Sequence, residues 1–313
     1  MRMPKILYHK LKWKKIGLIF EPGRFDWMST HAQNPMPEML GEDRYRVHFA
    51  CRDKMNRAHG GFFDFDIRKP RKTLQVSKKP TLGPGELGCF DDGGVMPSAL
   101  IRVGRKKYLY YTGWSRTVDV PFAFHIGLAV SEDGVHFRRY SQAPVLGRNP
   151  HDPYITGAPF VEYRAGVFRM WYISATRWVR ESPDAKPKHY YTVKHARSKD
   201  GIAWETNDKL CLDYKGEEYA IARPAVFRED GGYGMWFTSR AGAGTYRLGA
   251  AHSRDGLRWT REPERIKIDV SGEDWDSEMI CYGFPFRHQG VLYALYNGNS
   301  YGAAGVGLAV AKP

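Results

Sequence analysis

The sequence offers little of what usually gives a function away. Four cysteines, Cys51, Cys89, Cys211 and Cys281, stand in 313 residues. Their spacing fits neither a metal-ligand pattern nor a dense disulfide framework. That excludes a zinc module and a stapled scaffold, and free thiols in a reducing compartment are expected. No apolar run is long enough to span a bilayer as a helix. The N-terminal stretch is basic, but its longest apolar run, Ile16 to Phe20, is too short for a signal-peptide core. A cytoplasmic protein is the expectation. Walker A, Rossmann, Gly-x-Ser-x-Gly and His-Glu-x-x-His patterns are all missing, so no cofactor or metal is expected. Acids are outnumbered: 34 Asp and Glu against 48 Lys and Arg give a net charge of +14. No nucleic-acid motif claims that excess, which could meet an anionic membrane face or an anionic glycan.

What is present is aromatic and glycine-rich. Aromatic residues make up 14% of the chain and there are 33 glycines. Together with few helix-type runs, this points to all-β structure. Three stretches share one pattern: Ser131-Glu132-Asp133-Gly134-Val135-His136-Phe137, Ser198-Lys199-Asp200-Gly201-Ile202-Ala203-Trp204 and Ser253-Arg254-Asp255-Gly256-Leu257-Arg258-Trp259. An Asp-Gly between short apolar runs is a strong hairpin signal, because glycine accepts the positive φ of a tight turn. In register with the hairpins lie five dense aromatic strands, at 45–50, 108–114, 168–174, 233–239 and 292–298. Each is preceded by a short strand holding a proline: Pro35, Pro97, Pro159, Pro224 and Pro285, spaced 62, 62, 65 and 61 residues apart.

Five like units of short strands predict a single-domain, all-β, five-bladed β-propeller of four-stranded antiparallel blades over residues 1–313. Each proline is expected at the first residue or an edge of its strand, where a missing N–H does no harm. The last unit lacks an outer strand, and residues 8–20 are expected to supply it, so that both termini join one sheet and no edge stays open. The loop Thr117–Phe124 and the segment Arg177–Lys188 read as insertions, one of which caps the central funnel.

These units and their Ser-x-Asp-Gly-x-x-Trp/Phe hairpins resemble the five-bladed propellers of glycoside hydrolase families 43 and 32, a fold shared with the family 130 phosphorylases and related glycosyltransferases. The resemblance implies acids lining the funnel: a base or nucleophile on the first blade, a pKa-tuning Asp on the second and an acid on the third. Such sites rest on paired carboxylates. Where relatives carry Asp-Pro on the first blade, this chain has Asn34-Pro35. An amide neither takes the proton nor attacks, so Asn34 is expected to bind a sugar hydroxyl. On the second blade Asp91 matches the tuning position, with Asp92 beside it as a substrate contact. His151-Asp152-Pro153 resembles the Arg-Asp-Pro of family 32, which holds sugar hydroxyls, and no Glu occupies the family 43 acid position on that blade.

On the fourth and fifth blades Glu218 and Glu278 precede the first strands, where an acid could face the axis. With Asp91 they are the expected catalytic acids. Arg223, next to Pro224, should lie deep in the channel and needs an anionic partner. Tyr282 could donate to or stack on a sugar, and Arg52 and Arg240 sit where a carboxylate or phosphate could be held. Some relatives hold a structural cation in the channel, but no residue here specifies one. The expected function is therefore action on a glycosidic bond, glycoside hydrolase-like with non-standard acids, on a carbohydrate or sugar phosphate. Two alternatives remain: glycosyl transfer or phosphorolysis in cytoplasmic polysaccharide synthesis, or an inactive glycan-binding propeller.

Overall fold

A computed structural model describes residues 11–312. The regular structure of the described residues is nearly all strand. In order, the strands are β1 (Lys12–Phe20), β2 (Thr30–Met39), β3 (Arg44–Arg52), β4 (Ala58–Asp66), β5 (Thr73–Val76), β6 (Gly94–Val103), β7 (Lys106–Ser115), β8 (Ala123–Ser131), β9 (Arg138–Arg139) and β10 (Thr156–Arg164). There follow β11 (Val167–Val179), β12 (Lys188–Ser198), β13 (Glu218–Glu229), β14 (Gly232–Ala241), β15 (Arg247–Ser253), β16 (Thr260–Arg261), β17 (Cys281–His288), β18 (Val291–Asn297) and β19 (Val306–Lys312). One short helix, Asn299–Gly302, follows β18.

Three sheets form. One is β1-β19-β18-β17, one runs β10 to β16, and one β2 to β9. Each of the two larger sheets is a pair of antiparallel meanders joined at a single parallel bridge, Ala58 to Gly94 and Tyr191 to Ala220. Five meanders therefore follow one another along the chain, each opening on a proline-bearing strand. These opening strands, β2, β6, β10, β13 and β17, touch one another in order, and β17 returns to β2. The expected pairing of the two ends is present over 12–20: Trp13 opposes Ala311 and Phe20 opposes Val306. Residues 8–10 of the expected strand lie outside the described residues.

The prolines are not at strand starts, as expected, but inside the opening strands. Three of them sit in β-bulges, between Gln33 and Met36, Gly157 and Phe160, and Ala222 and Ala225, while Pro97, opposite Tyr111, borders a fourth whose extra residue is Ser98. A bulge leaves a residue out of the ladder, so a missing N–H costs nothing there. The fifth bulge is Tyr282-Gly283, and Pro285 lies beyond it, opposite Ala294.

The three hairpin motifs fold alike. Ser253 Oγ donates to Asp255 Oδ1 at 3.0 Å and accepts from the Gly256 N–H at 2.9 Å, while the Leu257 and Arg258 N–H groups reach Asp255 Oδ1 at 2.8 and 2.9 Å. The Ser131 and Ser198 copies repeat these bonds. Gly134, Gly201 and Gly256 take φ of 75°, 77° and 77°. Neighbouring meanders use the same turns as anchors. Tyr110 Oη donates to the Gly201 carbonyl at 2.9 Å, and Trp171 Nε1 to the Gly256 carbonyl at 2.7 Å.

A side chain at Gly201 would meet both its positive φ and the Tyr110 hydroxyl, 2.6 Å from the new Cβ, whereas at Gly231 (φ 84°) nothing lies within 4 Å. Gly201→Ala is therefore expected to lower the thermal midpoint clearly more than Gly231→Ala, whose loss of about 1–2 kcal/mol reflects the left-handed backbone alone. Equal shifts in a thermal melt would show that the turn is not the anchor.

Candidate functional site

The bulges put unusual backbone at the centre of the molecule. Asn34, Ala158, Arg223 and Tyr282 open four of them with φ of 56°, 43°, 51° and 54°. A residue with a side chain rarely adopts this region, and such outliers concentrate where a site is being shaped. Three are clamped by the preceding meander. The Asn34 N–H donates to Asn297 Oδ1 at 3.0 Å, Ala158 to Thr112 Oγ1 at 2.7 Å and Tyr282 to Thr238 Oγ1 at 2.9 Å. Pro97 has no N–H to clamp, and the residue at the matching place on β3, Ala50, has no acceptor. Strained backbone continues on one side of the bulges, at His31 (φ 62°), Ser300 (50°) and Tyr301 (61°).

The waist has two unlike sides. Beyond the bulges lies a cavity of about 490 Å³, mainly apolar, lined among others by Met36, Leu100, Phe160, Val226 and Phe284. Before the bulges lies a mouth of arginine, tyrosine and histidine. Tyr246 is its hub. Its hydroxyl bonds Tyr191, its ring lies 6.1 Å from Tyr282 and 5.9 Å from Tyr301, and Arg240 sits 5.8 Å over it. Arg240 also donates to Tyr301 Oη at 3.2 Å and covers Tyr219 at 5.4 Å. Arg52 donates through Nε to Gln33 Oε1 at 3.3 Å and through a terminal amine to Asn56 Oδ1 at 3.0 Å, and burial lowers its pKa.

Arg223 is the deepest of these cations. It is 1% exposed. One terminal amine donates to the Ser98 carbonyl at 2.7 Å, and the guanidinium lies 5.8 Å from the Phe284 ring. Its Nε and other terminal amine have no partner among the described residues. Burial lowers its pKa to about 10, so it stays charged at neutral pH. Burial pushes the Tyr246 and Tyr282 hydroxyls well above their usual range, which keeps both as hydrogen-bond donors. Among the described residues, no carboxylate lies within ion-pair reach of Arg52, Arg223 or Arg240; their hydrogen bonds go to Gln33 and Asn56, to the Ser98 carbonyl, and to the Gly244 carbonyl and Tyr301.

The expected acids do not meet there. Asp91 is fully buried, accepting from Tyr111 Oη at 3.0 Å and from Arg139 Nε at 2.8 Å. The same device recurs twice. Asp152 accepts from Tyr172 Oη at 2.9 Å with Lys194 Nζ 3.3 Å away, and Asp276 accepts from Tyr296 Oη at 3.2 Å and Lys15 Nζ at 2.7 Å. Asp91 and Asp152 thus hold loop to sheet in the second and third meanders and do not face the mouth. Glu218 is engaged by both terminal amines of Arg261, on the outermost strand β16, at 2.9 and 2.7 Å. Glu278 is exposed; its N–H donates to Asn299 Oδ1 at 2.8 Å and its carbonyl accepts from Arg247 at 2.8 Å. Asp92 accepts from the Gly88 N–H at 3.0 Å in a turn, and His151 pairs with Asp208 at 3.2 Å. The structure therefore brings together Asn34, Arg52, Arg223, Arg240 and Tyr282 of the expected residues, separates Asp91, Asp92, Asp152, His151 and Glu218 from them, and leaves the Glu278 carboxylate exposed with no partner among the described residues. His31, Tyr191, Tyr246 and Tyr301 were not anticipated. The positive φ at His31, Ser300 and Tyr301, invisible in a sequence, marks part of this region as special.

The two insertions meet on one side of the mouth. β11 and β12 run on together as an arm, bulged between Ala175 and Arg177. Phe122 of the other insertion packs 5.6 Å from Trp178 and 5.2 Å from His189, and Arg180 donates to the Asp119 carbonyl at 3.0 Å.

Two outcomes follow. Lys194 and Asp152 are both buried, so Lys194→Met should cost about 3–5 kcal/mol by stranding the carboxylate, against less than about 0.5 kcal/mol for Lys54→Met in the exposed pair with Asp26. Similar denaturant midpoints for the two variants would refute the latch. Desolvation lowers the pKa of His31, His125, His189 and His195 from 6.5 to about 4. These rings fold uncharged, so the stability they hold above pH 6.5 should be lost as pH falls from there through about 4. A thermal midpoint flat across that window would contradict it.

No protein-family model matches the chain. It is 40% identical over 302 residues to two proteins of Mycobacterium tuberculosis, uncharacterized protein MT1551 of strain CDC 1551 / Oshkosh and uncharacterized protein Rv1502 of strain ATCC 25618 / H37Rv, covering 96% of this chain and 99% of each relative. A solved structure described as a glycoside hydrolase superposes with a TM-score of 0.77 at 17% identity, over 98% of this chain and 94% of that one. A BT0996 RGII complex gives 0.76 at 18% over the same shares. The Bombyx mori GH32 beta-fructofuranosidase BmSUC1 gives 0.63 at 16%, over 95% of this chain and 61% of the enzyme. The fold is that of glycoside hydrolases.

Proposed function

The chain belongs to the same family as the two uncharacterized mycobacterial proteins, and from its glycoside-hydrolase fold we propose a single-domain, five-bladed propeller that takes an anionic carbohydrate at the arginine–tyrosine mouth. The return of β17 to β2 and the pairing of β1 with β19 support closure of the ring. One observation carries the ligand's charge: Arg223, buried, charged and with two N–H groups unpaired among the described residues. An uncompensated buried cation is costly, so an oxyanion on its open edge would relieve it. Arg52 and Arg240 would hold the same group or its neighbour, while Tyr246, Tyr282 and Asn34 would meet sugar hydroxyls.

Chemistry on the glycosidic bond is then best read as transfer or phosphorolysis. Hydrolysis of the usual kind needs two carboxyl groups facing across the bond. Glu218 is engaged by Arg261, and Asp91 by Tyr111 and Arg139. An attacking phosphate, or the phosphate of an activated donor, would itself be the anion that the arginines balance.

Arg223→Lys keeps the charge but loses the planar fork. It should weaken binding of a sugar phosphate or uronic acid about tenfold or more, while Glu218→Gln and Glu278→Gln leave that binding intact. Calorimetry on the four proteins tests this. If Arg223→Lys binds as the wild type does and the Glu variants abolish turnover of neutral glycosides, the acids are the machinery and the reading is wrong.

A further inference from the structure

The cations do not stop at the mouth. Lys188 Nζ lies 4.0 Å over Tyr219 and 5.7 Å from Tyr190, and the Arg177 guanidinium lies 4.2 Å over Tyr190. Tyr219 is the same ring that Arg240 covers at 5.4 Å. The charges of Arg240 and Lys188 therefore lie within about 10 Å of one another, and those of Lys188 and Arg177 likewise. Neither Lys188 nor Arg177 has a carboxylate within ion-pair reach among the described residues. A file of Arg223, Arg240, Lys188 and Arg177, interleaved with Tyr282, Tyr246, Tyr219 and Tyr190, thus runs from the waist out along the arm.

We infer that this file is an extended binding track, and that the ligand is an anionic oligosaccharide with several charges along its length rather than a single charged sugar. The inference rests on the functional reading above and adds length and multiplicity to it. Four cations in file are more than one singly charged sugar engages. Its outer cations are already held on aromatic faces, so less side-chain freedom is lost when an anion arrives. The arm is braced by Phe122 against Trp178 and His189, and by Arg180 on the Asp119 carbonyl, so the outer sites stand on a packed platform. A single-stranded nucleic acid is also a chain of anions beside aromatic rings. The glycan is preferred because the faces of Tyr190 and Tyr219 carry the protein's own cations, which competes with base stacking.

The test uses the full chain, the double variant Arg177→Gln/Lys188→Gln and Arg223→Lys. Calorimetry in 0.15 M salt measures binding of galacturonic acid, hexagalacturonate, glucose 1-phosphate, neutral maltohexaose and an oligothymidylate hexamer. The wild type should bind hexagalacturonate at least tenfold more tightly than the monomer. The double variant should lose at least fivefold on the hexamer and nothing on the monomer, and Arg223→Lys should weaken both. An unchanged hexamer affinity in the double variant overturns the track while leaving the mouth intact. Equal binding of maltohexaose shows that charge is not read. An oligothymidylate bound more tightly than the hexuronate, and lost in the double variant, makes the track a nucleic-acid site. A wild type that binds neither uronate overturns the track, and one that also fails to bind glucose 1-phosphate overturns the functional reading itself.

Discussion

One contact recurs at the centre of the fold: a side chain on the second strand of one meander accepts the backbone N–H of the strained residue on the first strand of the next. Asn297 does this for Asn34, Thr112 for Ala158 and Thr238 for Tyr282. A non-glycine residue in the left-handed region is unfavourable by roughly 1–2 kcal/mol, and a buried N–H without an acceptor by about as much again. The clamp removes the second penalty and makes the first tolerable. It also ties three of the five bulges to their neighbours, so the strained backbone and the order of those meanders hold each other in place. The residues that open the bulges, Asn34, Arg223 and Tyr282 among them, are the ones that define the mouth. At the third joint Ile173 stands where an acceptor would be, and the bulge of the next meander opens on Arg223. The least supported bulge carries the most buried cation.

The carboxylates follow a different logic. Three aspartates, each twenty residues before the tyrosine it accepts from, are closed off by a cation from an outer strand. In the fourth meander Glu218 and Arg261 take the place of that pair, with Phe237 under the guanidinium at 5.1 Å in place of the tyrosine. Asp91, Asp152, Asp276 and Glu218 are thus committed to holding loops against sheets, and the exposed Glu278 is the one expected acid whose carboxylate has no partner among the described residues. What is left facing the mouth is cationic and aromatic, the reverse of a two-carboxylate site.

Much of the scaffold was legible in the residues. The Ser-x-Asp-Gly turns and the proline spacing marked the meanders, and the surplus strand at 12–20 marked its partner in the last one. The site was less so, because a bulge decides which way a side chain points and sequence spacing does not locate it to the residue. Matching by prolines placed the fifth waist at Pro285, whereas the bulge is Tyr282-Gly283. Asp91 resembled a funnel acid because nothing near it in the chain reveals Arg139, 48 residues on, as its partner. The hub of the mouth gathers Tyr191, Tyr246, Tyr282 and Tyr301 from three meanders, and no local pattern could have joined them.

The sheet that unites β1 with β19 has a consequence for how the molecule comes into being. Its first strand leaves the ribosome before every other strand described, and its partner after them all. While the strands between are being made, Lys12–Phe20 is unpaired, and its apolar end, Ile19 and Phe20, will later be buried. The middle meanders can pair from contacts local in sequence, but this sheet closes only once β19 has emerged, over a loop that contains every other strand. Until then the nascent protein carries an open edge of the kind that recruits other strands, relieved by its own lysines, Lys12, Lys14 and Lys15. The basic charge of that strand then serves two lives: a guard on the growing chain, and afterwards, through Lys15 on Asp276, a bolt on the finished one.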